Sequence, residues 1–237
     1  MKKFTIGLLS MIALATMNSC KKVIGEGPVV TETRTTRDFS EIDFGVPGEM
    51  IFIESEATEI EIQAQQNIIV VIQTYIICNV LKIRLRDDRK VTSHERIVVT
   101  VRAPSVRSFA VSGSGSLQVL DTLSGNNTRL RVSGSGKITV PEVDAGHLEA
   151  KISGSGSIEA LDGVANSLNV SISGSGNVDL ASVTAINATT QTSGSGTIRL
   201  KVVDNLDVHI SGSGDVYYRG NPAVDVNISG SGRLVKM

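Results

Sequence analysis

The sequence predicts an all-β chain wound as a single-stranded, right-handed parallel β-helix (a β-solenoid) with coils of about 20 residues. Three observations carry this expectation. The tetrapeptide Ser-Gly-Ser-Gly occurs seven times, beginning at Ser112, Ser133, Ser153, Ser173, Ser193, Ser211 and Ser229. Successive starts lie 21, 20, 20, 20, 18 and 18 residues apart, a near-constant period that marks stacked repeats. Apolar and polar residues alternate strictly on both sides of the motif, as in an extended strand with one buried face.

The third copy shows the alternation. Leu148, Ala150, Ile152, Gly154, Gly156, Ile158 and Ala160 share one parity, while Glu149, Lys151, Ser153, Ser155, Ser157 and Glu159 share the other. The copies around Ser173 and Ser211 follow the same rule. Parity therefore turns the glycines inward and the serines outward. Inward glycines remove side chains where backbones approach closely or where a strand bends. The serines form two parallel ladders with neighbours about 4.8 Å apart. A flexible Gly/Ser linker has the same composition, but the aliphatic alternation flanking each copy speaks against it. A phosphate loop is also disfavoured, because no copy continues into Lys-Ser/Thr or opens a helical pattern. Turn-forming segments such as Pro141 to Gly146 and Asp162 to Asn166 separate the copies. Seven coils at that strand spacing make a rod roughly 30–35 Å long.

In chain order, residues 1–19 read as an export signal, with Lys2 and Lys3 before a short apolar core from Phe4 to Ala15. That core is too short to span a membrane as a helix. Met17-Asn18-Ser19-Cys20 resembles a lipobox, which implies cleavage before Cys20, lipidation of Cys20 and anchoring in the bacterial envelope, with the outer membrane expected. Residues 20–36 read as a tether. Residues 37–237 read as one solenoid domain, in which 37–105 lack the motif and cap the N-terminal end and 106–237 carry the repeats. Gln66 to Ile77 is ambiguous between helix and strand. Cys78, in an apolar run, is expected as a small core residue. The C-terminal end shows no cap, which leaves room for pairing with another copy or another protein.

Val99-Thr100-Val101-Arg102-Ala103-Pro104, leading through Phe109-Ala110-Val111 into Ser-Gly-Ser-Gly, resembles the putative auto-transporter adhesin, head GIN domain family. Asp38-Phe39 to Phe44 and Val80-Leu81-Lys82-Ile83 are similar too, and the likeness covers roughly residues 38–220. It implies an exported protein or lipoprotein of Bacteroidetes-type bacteria with a solenoid-like fold. The family's adhesin label names no ligand and no catalytic residue to carry over.

Chemistry is sparse. His94, His147 and His209 are far apart in sequence and give no metal-binding spacing, so no metal or cofactor is expected. The serines lack a nucleophile elbow. Glu149, Glu159, Asp179, Asp207 and Asp215 are outward, which keeps a carbohydrate-active enzyme as the competing class, since such enzymes need convergent carboxylates. Near balance of 23 basic and 24 acidic residues disfavours nucleic acid. Aromatic residues make up only 3%, too few for an extended sugar-stacking platform. The expected function is non-enzymatic adhesion, with the candidate ligand surface made by Ser153, Ser155, Ser173, Ser175, Ser211, Ser213 and the outward Tyr217. Its expected partners are a glycan or protein ligand, the membrane through the lipid anchor, and a second copy through the C-terminal end. A structural scaffold facing the periplasm is the alternative.

Overall fold

The computed structural model describes residues 21–237, so Cys20 and the export segment lie outside the described residues. Of the described residues, 72% are in strands and 2% in helix, wound as a β-solenoid of about 6 turns. The first part of the chain builds the N-terminal end. It comprises β1 (Lys21–Ile24), β2 (Val29–Thr35), β3 (Glu41–Gly45), β4 (Glu49–Glu54), β5 (Glu59–Gln65), the single turn α1 (Gln66–Ile69), β6 (Ile72–Ile77), β7 (Val80–Leu85), β8 (Arg89–Ser93) and β9 (Val98–Ala103).

The repeats follow as alternating long and short strands. These are β10 (Ser108–Gly113), β11 (Ser116–Val119), β12 (Leu123–Gly134), β13 (Lys137–Val140), β14 (Val143–Gly154), β15 (Ser157–Ala160), β16 (Gly163–Gly174), β17 (Asn177–Gly194), β18 (Thr197–Gly212), β19 (Asp215–Arg219), β20 (Ala223–Gly230) and β21 (Arg233–Lys236). All pair in parallel with the equivalent strand one coil away.

Register is set by the motif, because every Ser-Gly step pairs with the Ser-Gly step of the next coil. The inward columns are aliphatic. Val132, Ile152, Ile172 and Ile210 stack in one of them, all buried, with Thr192 between the last two. Where the period falls from 20 to 18, the pairing of β17 with β18 shifts between Leu180 and Thr184 and again between Ala185 and Asn187. The shorter coil cuts its corner while the strands on either side stay in register.

The motif is a corner in which the two glycines differ. The first has positive φ, for example 124° at Gly154, and is half-buried. The second, Gly156, is the buried one that the parity rule anticipates. A Cβ on Gly154 would lie 2.5 Å from the Gly134 carbonyl oxygen of the previous coil. Hydrogen bonding continues through the bend, since the Ser155 N–H donates to that carbonyl at 2.9 Å and Ser175 does the same to Gly154. Both serines stay exposed.

At the N-terminal end, β3 and β4 stack in parallel on β10 and β11, and β7 and β9 stack on β3 and β4. Pairing then turns antiparallel, with β6 on β7, β5 on β9 and β2 on β5. The core widens here to hold Phe44, Met50, Phe52 and Phe109, with Phe52 and Phe109 packed edge to face at 5.1 Å. Arg34 donates to the carbonyls of Ile72 (2.8 Å) and Ile69 (3.3 Å), and Arg37 to that of Ile76 (3.1 Å). Strand edges at this end are thereby blunted with side-chain donors.

Two expectations change. In place of a tether over 20–36, β1 pairs in parallel with β8 and β2 runs antiparallel along β5, so most of this segment is built into the body. Thr31, Thr33 and Thr35 look linker-like by composition but serve as the polar alternation of an edge strand. Cys78 is exposed rather than a core residue. Ile77 pairs with Val80, leaving Cys78 and Asn79 as a two-residue hairpin loop with φ of 49° and 65°. Positive φ at both central residues is what a tight antiparallel hairpin requires. The ambiguous stretch before it divides into one helical turn and β6.

The two glycine environments predict unequal costs. Gly113 has φ of 100° but nothing within 4 Å of an added Cβ, so Gly113→Ala should cost only the backbone strain, about 1–3 kcal/mol. Gly154→Ala adds the collision with Gly134 and should cost more than about 4 kcal/mol. Denaturant unfolding of the two variants measures the difference; equal midpoints would refute it.

Candidate functional site

The stretch of each long strand that leads into the motif presents three alternate outward positions, and stacking turns these into columns. One runs Glu149, Asn169, Thr189, Asp207, Asp225; the next runs Lys151, Ser171, Gln191, His209, Asn227. The third is the first serine ladder: Ser153, Ser173, Ser193, Ser211, Ser229. Column members lie about 4.8 Å apart, so the wall is a lattice of polar groups at fixed spacing.

Two open grooves mark the C-terminal part of this wall. One, of about 350 Å³, is lined in part by Asn187, Thr189, Asn205, Asp207 and Asp225. The other, of about 330 Å³, is lined by Gln191, Ser193, His209, Ser211, Asn227 and Ser229, with Thr192 and Ile210. Asn205 donates an amide hydrogen bond to Asn187 Oδ1 at 2.7 Å, which orients both amides along their column. His209 Nε2 sits 3.3 Å from Asp207 Oδ1 on the same strand.

The sequence-predicted ligand residues fall into three places. Ser153, Ser173 and Ser211 share the first ladder, and Ser211 enters the second groove. Ser155, Ser175 and Ser213 form the second ladder, beyond the glycine bend, with their N–H groups engaged in the corner. All six are exposed. Tyr217 belongs to the neighbouring wall, where its ring lies 5.4 Å from the Arg199 guanidinium carbon and its hydroxyl donates to Asp215 Oδ2 at 3.3 Å. It is half-buried and held away from the serine ladders by those contacts. Cys20, the expected lipidation residue, is outside the described residues.

Sequence reading placed Asp207 outward but missed its stacking on Asp225, and missed the column of Asn187 and Asn205. Their signal is present, since each pair sits at a fixed distance before the motif, but it emerges only when the copies are overlaid by the Ser-Gly register. The outward carboxylates are distributed along the rod and mostly paired. Glu149 meets Arg131, Glu159 meets Lys137 and Asp215 meets Arg233, each at 2.8 Å, while Asp179 accepts the Ala181 N–H at 3.2 Å. Among the described residues no cluster of His, Cys, Asp and Glu is arranged to hold a metal ion. No helix among them is long and apolar enough to cross a membrane.

The far end of the rod is open. Among the described residues, β20 pairs only with β18, and β21 only with β19. Val224, Val226 and Ile228 continue the core columns of Leu206, Val208 and Ile210, yet are 40%, 46% and 41% exposed.

A solenoid of serine-glycine corners with a polar columnar wall defines a repetitive β-scaffold. The chain belongs to the putative auto-transporter adhesin, head GIN domain family, whose model matches residues 38–222. Solved structures share the fold. A putative adhesin from Bacteroides fragilis NCTC 9343 superimposes with TM-score 0.86 at 21% identity, covering 91% of this chain and 100% of that one. A putative adhesin from Parabacteroides merdae ATCC 43184 gives 0.74 at 25% identity, covering 91% and 99%. A protein from Parabacteroides distasonis ATCC 8503 described as a putative lipid binding protein gives 0.72 at 19%, covering 92% and 100%. Comparison with curated proteins finds no match. The family's description as a putative adhesin suggests an exported, surface-associated protein.

The last coil carries a testable pH dependence. Its clasp is the Asp215–Arg233 pair, and the hydrogen bond from Arg233 is the main cause that holds Asp215 below the ordinary value of 3.8. Because the folded value is depressed, the clasp stabilises β21 above the ordinary carboxylate value and is lost as pH falls through the folded one. By NMR, Arg233–Lys236 should shift toward random-coil positions only below pH 3.8. Asp215→Asn should show that loosening already at neutral pH; a variant indistinguishable from wild type there rejects the clasp.

Proposed function

We propose that this protein is an envelope-anchored, non-enzymatic interaction protein that binds a repetitive, hydroxyl-rich ligand, of which a glycan is the best match, along the outer wall of its long strands. One observation carries the reading: two adjoining open grooves lined by amide, hydroxyl and carboxylate groups that repeat in register. Such groups exchange hydrogen bonds with sugar hydroxyls, and an extended lattice suits weak contacts summed along a polymer. Orientation of Asn205 and Asn187 by their mutual bond reduces the ordering cost of binding. The family's adhesin description agrees with this use, and lipidation at Cys20 would hold the wall at the cell envelope. Polysaccharide binding by the purified protein tests the reading. Asn205→Ala combined with Asp207→Ala should weaken binding by about tenfold or more, from loss of hydrogen bonds involving a charged group. Binding that survives this double substitution, or none to any polysaccharide, would refute the wall as the site.

The open end favours a second reading, assembly through the last coil. Strand β20 exposes a free edge and the apolar side chains Val224, Val226 and Ile228, whereas the opposite end is blunted. Two copies meeting end to end related by a two-fold axis would bring β20 against β20 antiparallel and close both edges, with no filament. Light scattering should then show a dimer that Val226→Lys converts to monomer. A concentration-independent monomer in the wild type excludes homotypic closure.

A further inference from the structure

We propose that the N-terminal end of the solenoid is a membrane-seating face that lies on anionic phospholipid headgroups; the proposal rests on the lipid-anchor reading of Cys20. Lys21, the first described residue, already lies in β1 and is one peptide bond from Cys20, and consecutive Cα atoms are about 3.8 Å apart. An acyl group on Cys20 would therefore hold the folded body itself at the bilayer, with no slack between. Strand β1 is joined to that body by its pairing with β8, by the bond from Lys21 N–H to the Asp88 carbonyl (2.9 Å), and by Val23 packed on the core beside buried Val91.

Five cations, Lys21, Lys22, Arg86, Arg89 and Lys90, gather at that point. Lys21 pairs with Arg89 and Lys22 with Lys90 directly across the two strands, one pair on each face, so like charges lie side by side in register. That arrangement is unfavourable in an isolated sheet. Arg86 and Arg89 share Asp88, each at 3.3 Å, and Lys21, Lys22, Arg86 and Lys90 are all exposed. Besides Asp88, the acidic residues on or flanking these segments are Asp87, Glu26 and Glu95. An anionic surface would relieve the lysine–lysine and lysine–arginine repulsion, and each cation near such a surface favours binding.

Apolar side chains accompany the charge. Ile24 is 58% and Val70 64% exposed. Asn67 ties these segments together, donating to the Ile24 carbonyl at 2.7 Å and accepting the Glu26 N–H at 3.1 Å, while the Arg86 N–H bonds the Val71 carbonyl at 3.0 Å. Cations beside two exposed aliphatic groups, next to an acylation site, meet the two-signal requirement for stable membrane attachment. Seated in this way, the rod projects its open C-terminal end away from the bilayer.

The experiment uses the native acylated protein with Cys78→Ser, so that one introduced thiol is unique. An NBD fluorophore is placed at Val70→Cys or, as the far-end control, at Ser231→Cys. The protein is reconstituted on vesicles of phosphatidylethanolamine with phosphatidylglycerol or of phosphatidylcholine alone, and acylation of the same sample is read by mass spectrometry. The expected result is a blue shift and quenching by nitroxide-labelled lipid at position 70 on the anionic vesicles, with neither at 231. Lys22→Glu with Lys90→Glu should abolish the signal at 70 while the acylated protein stays on the vesicles. Acylated protein with water-like emission at 70, or a signal kept by the charge-reversed variant, overturns the seating face and leaves the anchor intact. Unacylated protein from the native host overturns the anchor reading, and the seating proposal with it.

Discussion

The structure depends on the approach of one glycine backbone to the glycine of the next coil. At each Ser-Gly-Ser-Gly corner the chain adopts positive φ, and at all six junctions between successive corners the carbonyl of the first glycine accepts the N–H of the second serine one coil later, at 2.8–2.9 Å. No side chain fits between, since a Cβ on these glycines would lie 2.2–2.5 Å from the oxygen below from Gly134 onward. The corner thus satisfies its backbone groups while turning, which an ordinary loop in a solenoid wall does not guarantee. It also fixes parity. Once the corner is in register, each residue along the flanking strands is assigned to core or surface, because a slip by one residue would invert every side chain.

Fixed parity is strong enough to carry an unfavourable layer. The coil containing Ala188, Thr190 and Thr192 places two threonines where neighbouring coils have Val and Ile, and their hydroxyls have no hydrogen-bond partner among the described residues. An unpaired buried hydroxyl costs about 1–3 kcal/mol. The layer stays in register because the glycine corners and aliphatic coils on both sides hold it there. Thr189 and Gln191, at the alternate positions, take their places on the outer wall.

Most of the repeat architecture was legible because its determinants are local and periodic: the motif spacing, the alternation around Ser153 and the absence of helical patterning. Cys78 was misread because an apolar run looks the same whether it ends in the core or in a hairpin, and only the pairing of Ile77 with Val80 distinguishes them. The segment after Cys20 was misread because the strands there are fixed by distant partners, β8 and β5, that no local pattern identifies. The candidate site was half legible. The serine ladders follow from parity, but the groove of Asn187, Asn205 and Asp207 is a property of columns, and columns run perpendicular to the sequence.

That perpendicular organisation accounts for the similarity of fold at low identity. A coil needs a glycine corner and small or aliphatic inward residues; it places almost no demand on outward ones. A structure can therefore superimpose with TM-score 0.86 at 21% identity. In this chain one outward column changes from Glu149 through Asn169 and Thr189 to Asp207 and Asp225, while the adjacent inward column stays Ala or aliphatic except at Thr190. Under the proposed binding role, specificity would be written one residue per coil, at a spacing the backbone has already fixed. The fold supplies the ruler, and the outward side chains of the long strands supply the marks that a ligand would read.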